Sequence, residues 1–284
     1  MASSTKSLCK LGDLPKHLQF NKDILTGYRQ PMTTRECVHS WTYIHNESFN
    51  CYSHCLALLY FVYITTDYSN VWPSNPDTST AVKFLIVNDF ICRIFPFTLS
   101  IIYHTFMPHI TGEKTYKRLL KTDILGVWWI CTFGPLSSVY TGLFCTPKVM
   151  ACYLLVYSFV SAYVLFYLMV VDCKQKRTSA LTVQFALRVL LHPLRLSSLS
   201  HSSTSGVCYY MAMDVVSAVG ALINTFHVPE RWCPGKLDYV LNGHTIMHVA
   251  AIACIVIARY GFLSDVLWLN EVGTCPTIVS DASF

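Results

Sequence analysis

Long apolar runs constrain this chain more than any other feature of its sequence. Several of them approach the roughly 20 residues that an α-helix needs to cross the hydrocarbon core of a bilayer. The composition agrees, because 53% of the 284 residues are hydrophobic, only 13% are charged and the mean hydropathy is +0.40. In a soluble globular domain about 25% of the residues are charged. The sequence therefore predicts an all-α integral membrane protein that crosses the membrane several times.

Seven apolar runs can be separated, and together they predict a bundle of seven transmembrane helices. Residues 1–49 precede them as a polar cytosolic tail, with an interfacial helix predicted over residues 36–49 because aromatic side chains favour the headgroup level. The seven-span domain covers residues 50–262, and residues 263–284 form a short extracellular C-terminal tail. The predicted spans are about 50–71, 80–107, 123–144, 147–171, 179–200, 206–227 and 239–260.

The distribution of lysine and arginine orients the bundle, because cytosolic loops of membrane proteins carry an excess of both. With seven spans, the N-terminal tail and the loops after spans two, four and six hold most of these residues, whereas residues 261–284 hold none. This pattern predicts a cytosolic N-terminus and an extracellular C-terminus. A six-span bundle that lacks the polar fifth span would move Arg231 and Lys236 to the outer side and break the pattern. The same placement accounts for the net charge of +5 without a nucleic-acid partner.

Two histidines, His244 and His248, lie four residues apart at the start of the last apolar run. On an α-helix this spacing stacks both imidazoles on one face, about one turn apart. Two imidazoles in that arrangement can bind one metal ion, as in helical zinc motifs. The alternative is that each histidine hydrogen-bonds a neighbouring helix, as polar residues in membrane bundles do.

The direction of the spans brings three further polar residues to the depth of these histidines. Ser100 and His104 lie near the inner end of span two, and Asp123 lies at the inner start of span three. Ionisable residues inside a membrane are costly and indicate function. Catalytic zinc commonly takes three protein ligands and a water molecule. We therefore predict a zinc ion held by His104, His244 and His248, with Asp123 orienting the water or taking its proton.

A second polar group is predicted on the first membrane helix. Glu47, Asn50 and His54 are spaced i, i+3, i+7 and therefore share one helix face. They would lie at the inner side of the membrane, next to the predicted zinc site. The spacing permits two interpretations, either a shell of residues that supports the metal ligands or an interfacial capping cluster that plugs the inner side.

The thirteen cysteines are scattered through the chain, and no CxxC pair indicates a zinc finger or a redox site. Most of them fall in apolar runs or on the predicted cytosolic side, where cysteine acts as a small packing residue. Cys145, Cys208 and Cys275 lie on the predicted outer side. One disulfide among these three is compatible with the topology, and the pairing stays open.

Four segments of the chain form a recognisable pattern, DILTGYRQP (23–31), HNESFNCYSH (45–54), SIIYHTF (100–106) and PERWCPGKLD (229–238). The first two precede and open span one, the third ends span two, and the fourth leads into the His244-x-x-x-His248 pair. These segments, and their order along the chain, resemble the progestin and adipoQ receptor family, and the similarity extends from about residue 20 to residue 262. The first and third segments are closer to the membrane progestin receptor branch than to the adiponectin receptors.

The resemblance implies a seven-helix bundle with a cytosolic N-terminus and a zinc ion near the inner leaflet. It assigns the ligand role to His104, His244 and His248, and a supporting catalytic role to Asp123 and Ser100. One departure is that Gly243 precedes the first histidine of the last helix, where many family members have serine. A hydroxyl group is therefore missing next to His244.

Two functions follow from the resemblance. The first is a plasma-membrane receptor for a hydrophobic ligand, a progestin-like steroid if the branch is correct, with an intracellular signalling partner. The second is a zinc-dependent intramembrane amidase that acts on a sphingolipid-like substrate, because the family is related to the alkaline ceramidases. Both functions place the protein among membrane lipids. A transporter would instead predict broken helices and inverted repeats, which the sequence does not display.

Overall fold

The computed structural model describes residues 8–65, 80–171, 174–197, 200, 203–272 and 275 of the chain. The described part is helical and contains no β-strand beyond two isolated bridges, Cys9 with Tyr28 and Met32 with His109. The predicted all-α fold is confirmed. Its α-helices are α1 (Thr34–His39), α2 (Ser48–Thr65), α3 (Thr80–Phe106), α4 (Glu113–Phe133), α5 (Leu136–Leu143), α6 (Pro147–Val170), α7 (Lys174–Val189), α8 (Leu191–Arg195), α9 (Thr204–Phe226) and α10 (Gly243–Val272).

Five helical stretches of the described residues are long and apolar enough to cross a bilayer. The predicted spans two, four and six coincide closely with three of them, α3, α6 and α9. The first predicted span corresponds to α2, and its last part, residues 66–71, lies outside the described residues. The five stretches are Thr80–Phe106, Glu113–Leu143, Pro147–Val170, Thr204–Trp232 and Gly243–Leu269.

Helix α6 has the surface of a helix that faces lipid. Its aromatic and large aliphatic side chains point outward, whereas a serine and a tyrosine hydroxyl are turned inward, which reverses the pattern of a soluble protein. Lipid accommodates such an apolar surface, and the backbone polar groups in the middle of the helix are paired with one another. The exposed stripe is Leu155, Phe159, Tyr163 and Phe166, and the buried stripe is Tyr157, Ser161, Val164 and Leu168.

The third predicted span begins too late in the chain. Helix α4 starts at Glu113, so the basic segment that was predicted to be a loop is helical and Asp123 lies within the helix, not at its start. Gly112, at a φ of +80°, ends the preceding turn, and Lys117 forms an i, i+4 ion pair with Glu113 at 2.9 Å. Such pairs stabilise a polar helical segment that hydropathy alone does not detect.

The fifth and seventh predicted spans also differ from the observed helices. The fifth is divided into α7 and α8, and its helix begins at Lys174, ahead of the predicted residue 179. The seventh starts at Gly243 instead of residue 239, because Asn242 Oδ1 accepts the backbone N–H of Thr245 at 3.0 Å and caps the helix there. Helix α10 then continues to Val272, beyond the predicted end at residue 260.

The chain divides into two compact units. The first comprises Met1–Thr66, Phe90–Ile130 and Met213–Val256, and the second comprises Asp67–Asp89, Cys131–Ala212 and Ile257–Phe284. In the first unit, the N-terminal segment packs on the end of α3 and the start of α4 through a cluster that includes Leu18, Tyr28, Tyr103, Met107 and Tyr116. A second cluster joins α2, α3 and α10 through Ala57, Phe61, Phe97 and Ile255.

The second unit is built around a buried ion pair. Arg195 of α8 donates two hydrogen bonds to Asp265 of α10, at 2.8 and 3.0 Å, and neither side chain is exposed. Thr141 of α5 donates to the same carboxylate at 2.7 Å, and Ser138 accepts a further bond from Arg195 at 2.7 Å. The guanidinium also lies over the ring of Tyr210, 5.6 Å from its centroid. Both charges are therefore well satisfied by polar partners, as a buried pair requires.

One disulfide lies in the second unit and joins Cys145 to Cys275. Cys208, the third cysteine considered for the outer side, is an exposed free thiol. The structure therefore selects one of the pairings that the sequence left open.

We expect Gly206→Ala to destabilise the second unit. A Cβ atom at this position would overlap Asp265 Oδ1 and lie 3.1 Å from Asp265 Cγ, so the carboxylate would have to leave the Arg195 guanidinium. Overpacking of this kind costs about 1–3 kcal/mol. The midpoint of thermal unfolding in detergent should fall by several degrees. Gly12→Ala is the matched control, because a Cβ atom added there would meet no atom within 4 Å beyond its chain neighbours, and an equal midpoint for the two variants would contradict the expectation.

Candidate metal centre

Three histidines from two helices converge in the first unit. His104 is on the last turn of α3, and His244 and His248 are on the first two turns of α10. Each offers one ring nitrogen, and these three atoms all lie within 4.8 Å of one another. His104 and His248 are almost completely buried, and His244 is half-buried. The pair of histidines on one helix face, predicted from the sequence, therefore meets the third histidine in space.

Glu47 orients the ring of His104. Its Oε2 atom lies 2.7 Å from His104 Nδ1 and also accepts a hydrogen bond from Asn50 Nδ2 at 2.7 Å. Burial alone would raise the pKa of Glu47, but the hydrogen bond and charge of His104 outweigh it and hold the pKa below its ordinary value. An ionised Glu47 makes Nδ1 of His104 the protonated nitrogen. The lone pair is then on Nε2, which is buried and has no hydrogen-bond partner among the described residues.

The two histidines of α10 have different surroundings. His244 Nδ1 lies 3.2 Å from Asn224 Oδ1 on α9, so this histidine does contact a neighbouring helix as the alternative interpretation required. His248 Nδ1 is buried without a hydrogen-bond partner in the described part of the chain. Its ring contacts those of His104 and His244, with centroids 4.9 and 4.8 Å apart. Hydrogen bonding to neighbours therefore does not account for the whole cluster.

His54 adds a fourth imidazole at the edge of the cluster. Its ring stacks on His248 with the centroids 3.9 Å apart, and both of its nitrogens are buried without a partner within the described ranges. Asn50 Oδ1, one turn earlier on α2, is in the same condition. Glu47 and His54 thus contact the histidine cluster, and Asn50 contacts Glu47, which immediately precedes α2 instead of belonging to it.

Asp123 and Ser100 lie next to the histidine cluster, and neither contributes an atom to it. The Asp123 carboxylate is a hydrogen-bonding neighbour of Ser100, and His104 and Glu47 act on it electrostatically. Neither Asp123 nor Glu47 belongs to the set of atoms that lie within 4.8 Å of one another. Asp123 therefore lies beside the histidines and is not part of the set of converging atoms.

Two residues that contact the histidines of the site, Asn224 and Arg29, were not identified from the sequence. Asn224 is a single amide in an apolar helix and contacts His244, so its isolation among apolar residues was the available signal. Arg29 had been counted with the basic residues of the tail. The structure buries it, and its guanidinium binds the carbonyl oxygen of His104 at 2.6 Å.

The glycine that departs from the family pattern has a packing role. A Cβ atom on Gly243 would lie 2.9 Å from the carbonyl oxygen of Ile223 and 3.1 Å from that of Val228. The N–H of Gly243 donates to Glu230 Oε2 at 2.6 Å. The start of α10 therefore approaches the end of α9 so closely that a side chain at this position would displace it.

The donor set fits a zinc ion. Three imidazoles are a common set of protein ligands for zinc, and they leave one position for another group. In His104 the second ring nitrogen is held by a carboxylate, which is the usual arrangement around a zinc-bound histidine. Nε2 of His104 and Nδ1 of His248 are buried polar atoms without a partner among the described residues, and a bound metal ion would satisfy both.

The helices and the histidine cluster define a multi-pass membrane protein with a polar site inside its helices. The profile of the haemolysin-III related family matches residues 42–258, and the chain belongs to this family, which is the progestin and adipoQ receptor family that the sequence resembles. The chain is 33% identical over 264 residues to progestin and adipoQ receptor family member 4 of Mus musculus, covering 92% of this chain and 94% of the relative. The human protein of the same name is also 33% identical, over 262 residues, with 92% and 94% coverage.

A more distant relative is the adiponectin receptor protein of Drosophila melanogaster. It is 23% identical over 290 residues, which cover 98% of this chain and 64% of that protein. The names of these relatives do not separate the progestin-receptor branch from the adiponectin-receptor branch, so the branch stays a prediction.

Proposed function

We propose that this protein is a plasma-membrane receptor for a hydrophobic ligand and holds a zinc ion at His104, His244 and His248. The observation that carries the proposal is the convergence of three histidine nitrogens within 4.8 Å in a buried cluster. The receptor role rests on the names of the relatives, which are called receptors or receptor-family members. We propose seven spans with a cytosolic N-terminus, which places the zinc near the inner leaflet.

In a receptor the zinc ion is structural. It would tie the last turn of α3 to the first turns of α10, where His104 Nε2 and His248 Nδ1 have no hydrogen-bond partner among the described residues. A structural zinc contributes directly to folding free energy, because the site does not exist in the unfolded chain. The ligand is steroid-like or sphingolipid-like and reaches the protein from the membrane. An intracellular signalling partner would receive the signal on the cytosolic side.

A second function, hydrolysis of a lipid amide, is favoured by the position of Asp123 and Ser100. Both lie beside the histidines, and a purely structural zinc site needs neither of them. When bound, zinc would act as a Lewis acid for the carbonyl oxygen of the substrate. Asp123 would take the proton from the attacking water and pass it to the nitrogen as the C–N bond breaks, which yields a fatty acid and an amine. Ser100 would hold the carboxylate in place.

The variant Asp123→Asn separates the two functions. The amide retains the shape and hydrogen bonding of the side chain, so zinc content and saturable binding of a tritiated progestin should match the wild type. Hydrolysis of a fluorescent ceramide should fall by at least about 100-fold if Asp123 is the general base.

The control for this experiment is Asp13→Asn, which changes an exposed carboxylate of the N-terminal segment. Ceramide turnover that is equal in wild type, control and Asp123→Asn would reject the role of Asp123 as base. Absence of saturable progestin binding, together with turnover that depends on Asp123, would establish the amidase and reject the steroid receptor.

A further inference from the structure

We propose that residues 21–29, which we name the N-terminal clamp, set the position of His104 against His244 and His248 and thereby tune zinc affinity. Arg29 is the positioning residue at one end of the clamp, and the contacts of Asn21, Leu25 and Thr26 form the other end. This inference rests on the proposed zinc site and adds to it a determinant that acts on the backbone at His104 and Gly243 and not on the imidazole rings.

Arg29 closes the end of α3. The last four carbonyl groups of an α-helix have no partner within it, and α3 ends at Phe106. Arg29 Nη2 donates to the carbonyl oxygen of His104 at 2.6 Å, and Nη1 donates to that of Thr105 at 3.0 Å. Nη1 also donates to Ser40 Oγ at 2.8 Å. A cation at a helix C-terminus is further stabilised by the helix dipole.

The clamp contacts the segment that leads into α10 through Asp238. The backbone N–H groups of Leu25 and Thr26 donate to the two oxygens of this carboxylate at 3.0 and 2.8 Å. The hydroxyl of Thr26 donates to Asp238 Oδ2 at 2.6 Å. Asp238 is buried, so these charge-assisted hydrogen bonds are shielded from water.

A second connection reaches the first residue of α10. Asn21 Nδ2 donates to Glu230 Oε1 at 3.1 Å, and Glu230 Oε2 accepts the N–H of Gly243 at 2.6 Å. Gly243 immediately precedes His244. One segment of nine residues therefore contacts the backbone of the ligand His104 and, through a single carboxylate, the residue next to the ligand His244.

The position of the backbone determines the position of the ligand nitrogens. A metal centre tolerates displacements of only about 0.5 Å from its productive geometry. Without the guanidinium, the last turn of α3 loses two hydrogen bonds directly at His104 and Thr105. The turn would fray and the ring of His104 would sample positions farther from the α10 histidines, although Glu47 and the three ligands are unchanged.

The test compares Arg29→Gln and Arg29→Lys with wild type, using the full-length chain in detergent. Zinc affinity is measured by competition with a chelator, and the midpoint of thermal unfolding is measured on the zinc-free protein. We expect Arg29→Gln to weaken zinc binding by about tenfold or more, as loss of an outer hydrogen bond does at other zinc sites. The zinc affinity of Arg29→Lys, which keeps the charge but donates to fewer carbonyl groups, should lie between that of wild type and that of Arg29→Gln. The visible spectrum of the cobalt-substituted protein should change in Arg29→Gln.

The matched control is Arg93→Gln. Arg93 lies on α3 and is, like Arg29, a buried arginine that donates to a backbone carbonyl, in this case that of Ile255 at 3.0 Å. That carbonyl lies beyond the ligands on α10, so the control should lower the unfolding midpoint and leave zinc affinity within about twofold of wild type. If Arg29→Gln does not fold, Asp238→Asn provides the same comparison at the other end of the clamp.

The outcomes are distinct. If wild type contains zinc and both Arg29→Gln and Asp238→Asn bind it as tightly as wild type does, the clamp is overturned and the proposed zinc site stands. Zinc absent from wild type overturns the proposed metal site and the clamp together. Weaker zinc binding in Arg29→Gln and Asp238→Asn, with wild-type affinity in Arg93→Gln, supports the clamp.

Discussion

Replacing both His244 and His248 by alanine is expected to remove the metal from this protein. Detergent-purified wild type should contain about one zinc ion per chain, and the double variant should contain none, because one histidine does not hold zinc without further ligands. Atomic absorption or plasma mass spectrometry on protein of known concentration measures the content. Circular dichroism should show the same helix content in both proteins, because the helices form through apolar packing and do not require the metal.

The control is His39→Ala, which removes an exposed histidine from the end of α1. It should keep the wild-type zinc content. A double variant that retains as much zinc as the wild type would show that the metal lies elsewhere. A wild type without zinc would reject the metal site and leave the proposed receptor role, for which steroid binding would then be the property to measure.

Asp265→Asn is expected to cause the largest loss of stability among single substitutions in the second unit. The carboxylate accepts hydrogen bonds from Arg195 and Thr141, and both members of the ion pair are fully buried. Neutralising one member leaves a buried charge without compensation, which costs about 3–5 kcal/mol. The midpoint of unfolding in detergent should fall accordingly, and much of the protein should be lost during purification at room temperature.

The double variant Arg195→Met/Asp265→Leu distinguishes the cost of an unpaired charge from the value of the pair. Apolar side chains of similar size can replace a buried pair at little cost, because the desolvation of both charges is then avoided. We expect the double variant to be more stable than Asp265→Asn. A double variant that is the less stable of the two would mean that the network around Thr141 and Ser138 contributes more than the charges do.

Hydropathy predicted three helices closely and misplaced the starts of three others. The helices α3, α6 and α9 are long apolar runs with polar flanks, and a bilayer allows no other structure for such runs. Helix α4 was predicted to start ten residues too late, because its first turns are amphipathic and charged. Helices α7 and α10 were also displaced, since capping and ion pairs at the helix ends leave only a weak signal in hydropathy.

The histidine cluster was predictable for a different reason. Helix periodicity places His244 and His248 on one face, and the alternating direction of the spans places His104 at the same depth. The family assignment was confirmed by the comparisons. The zinc ion and the roles of Asp123 and Ser100 stay predictions. Glu47 was foreseen beside the site, but its hydrogen bond to the Nδ1 atom of His104 was not.

By itself the sequence determined the helical membrane class, the family and the residues that can reach one depth in the bundle. All three follow from the spacing of residues along the chain, because helix periodicity and span length fix which face and which depth a residue occupies. Only the tertiary structure decided which atoms meet. Arg29, read from the sequence as a charge of the cytosolic tail, is buried against the end of α3, and Asn224 contacts His244. Such contacts join residues far apart in the chain, and their geometry follows from how the helices pack.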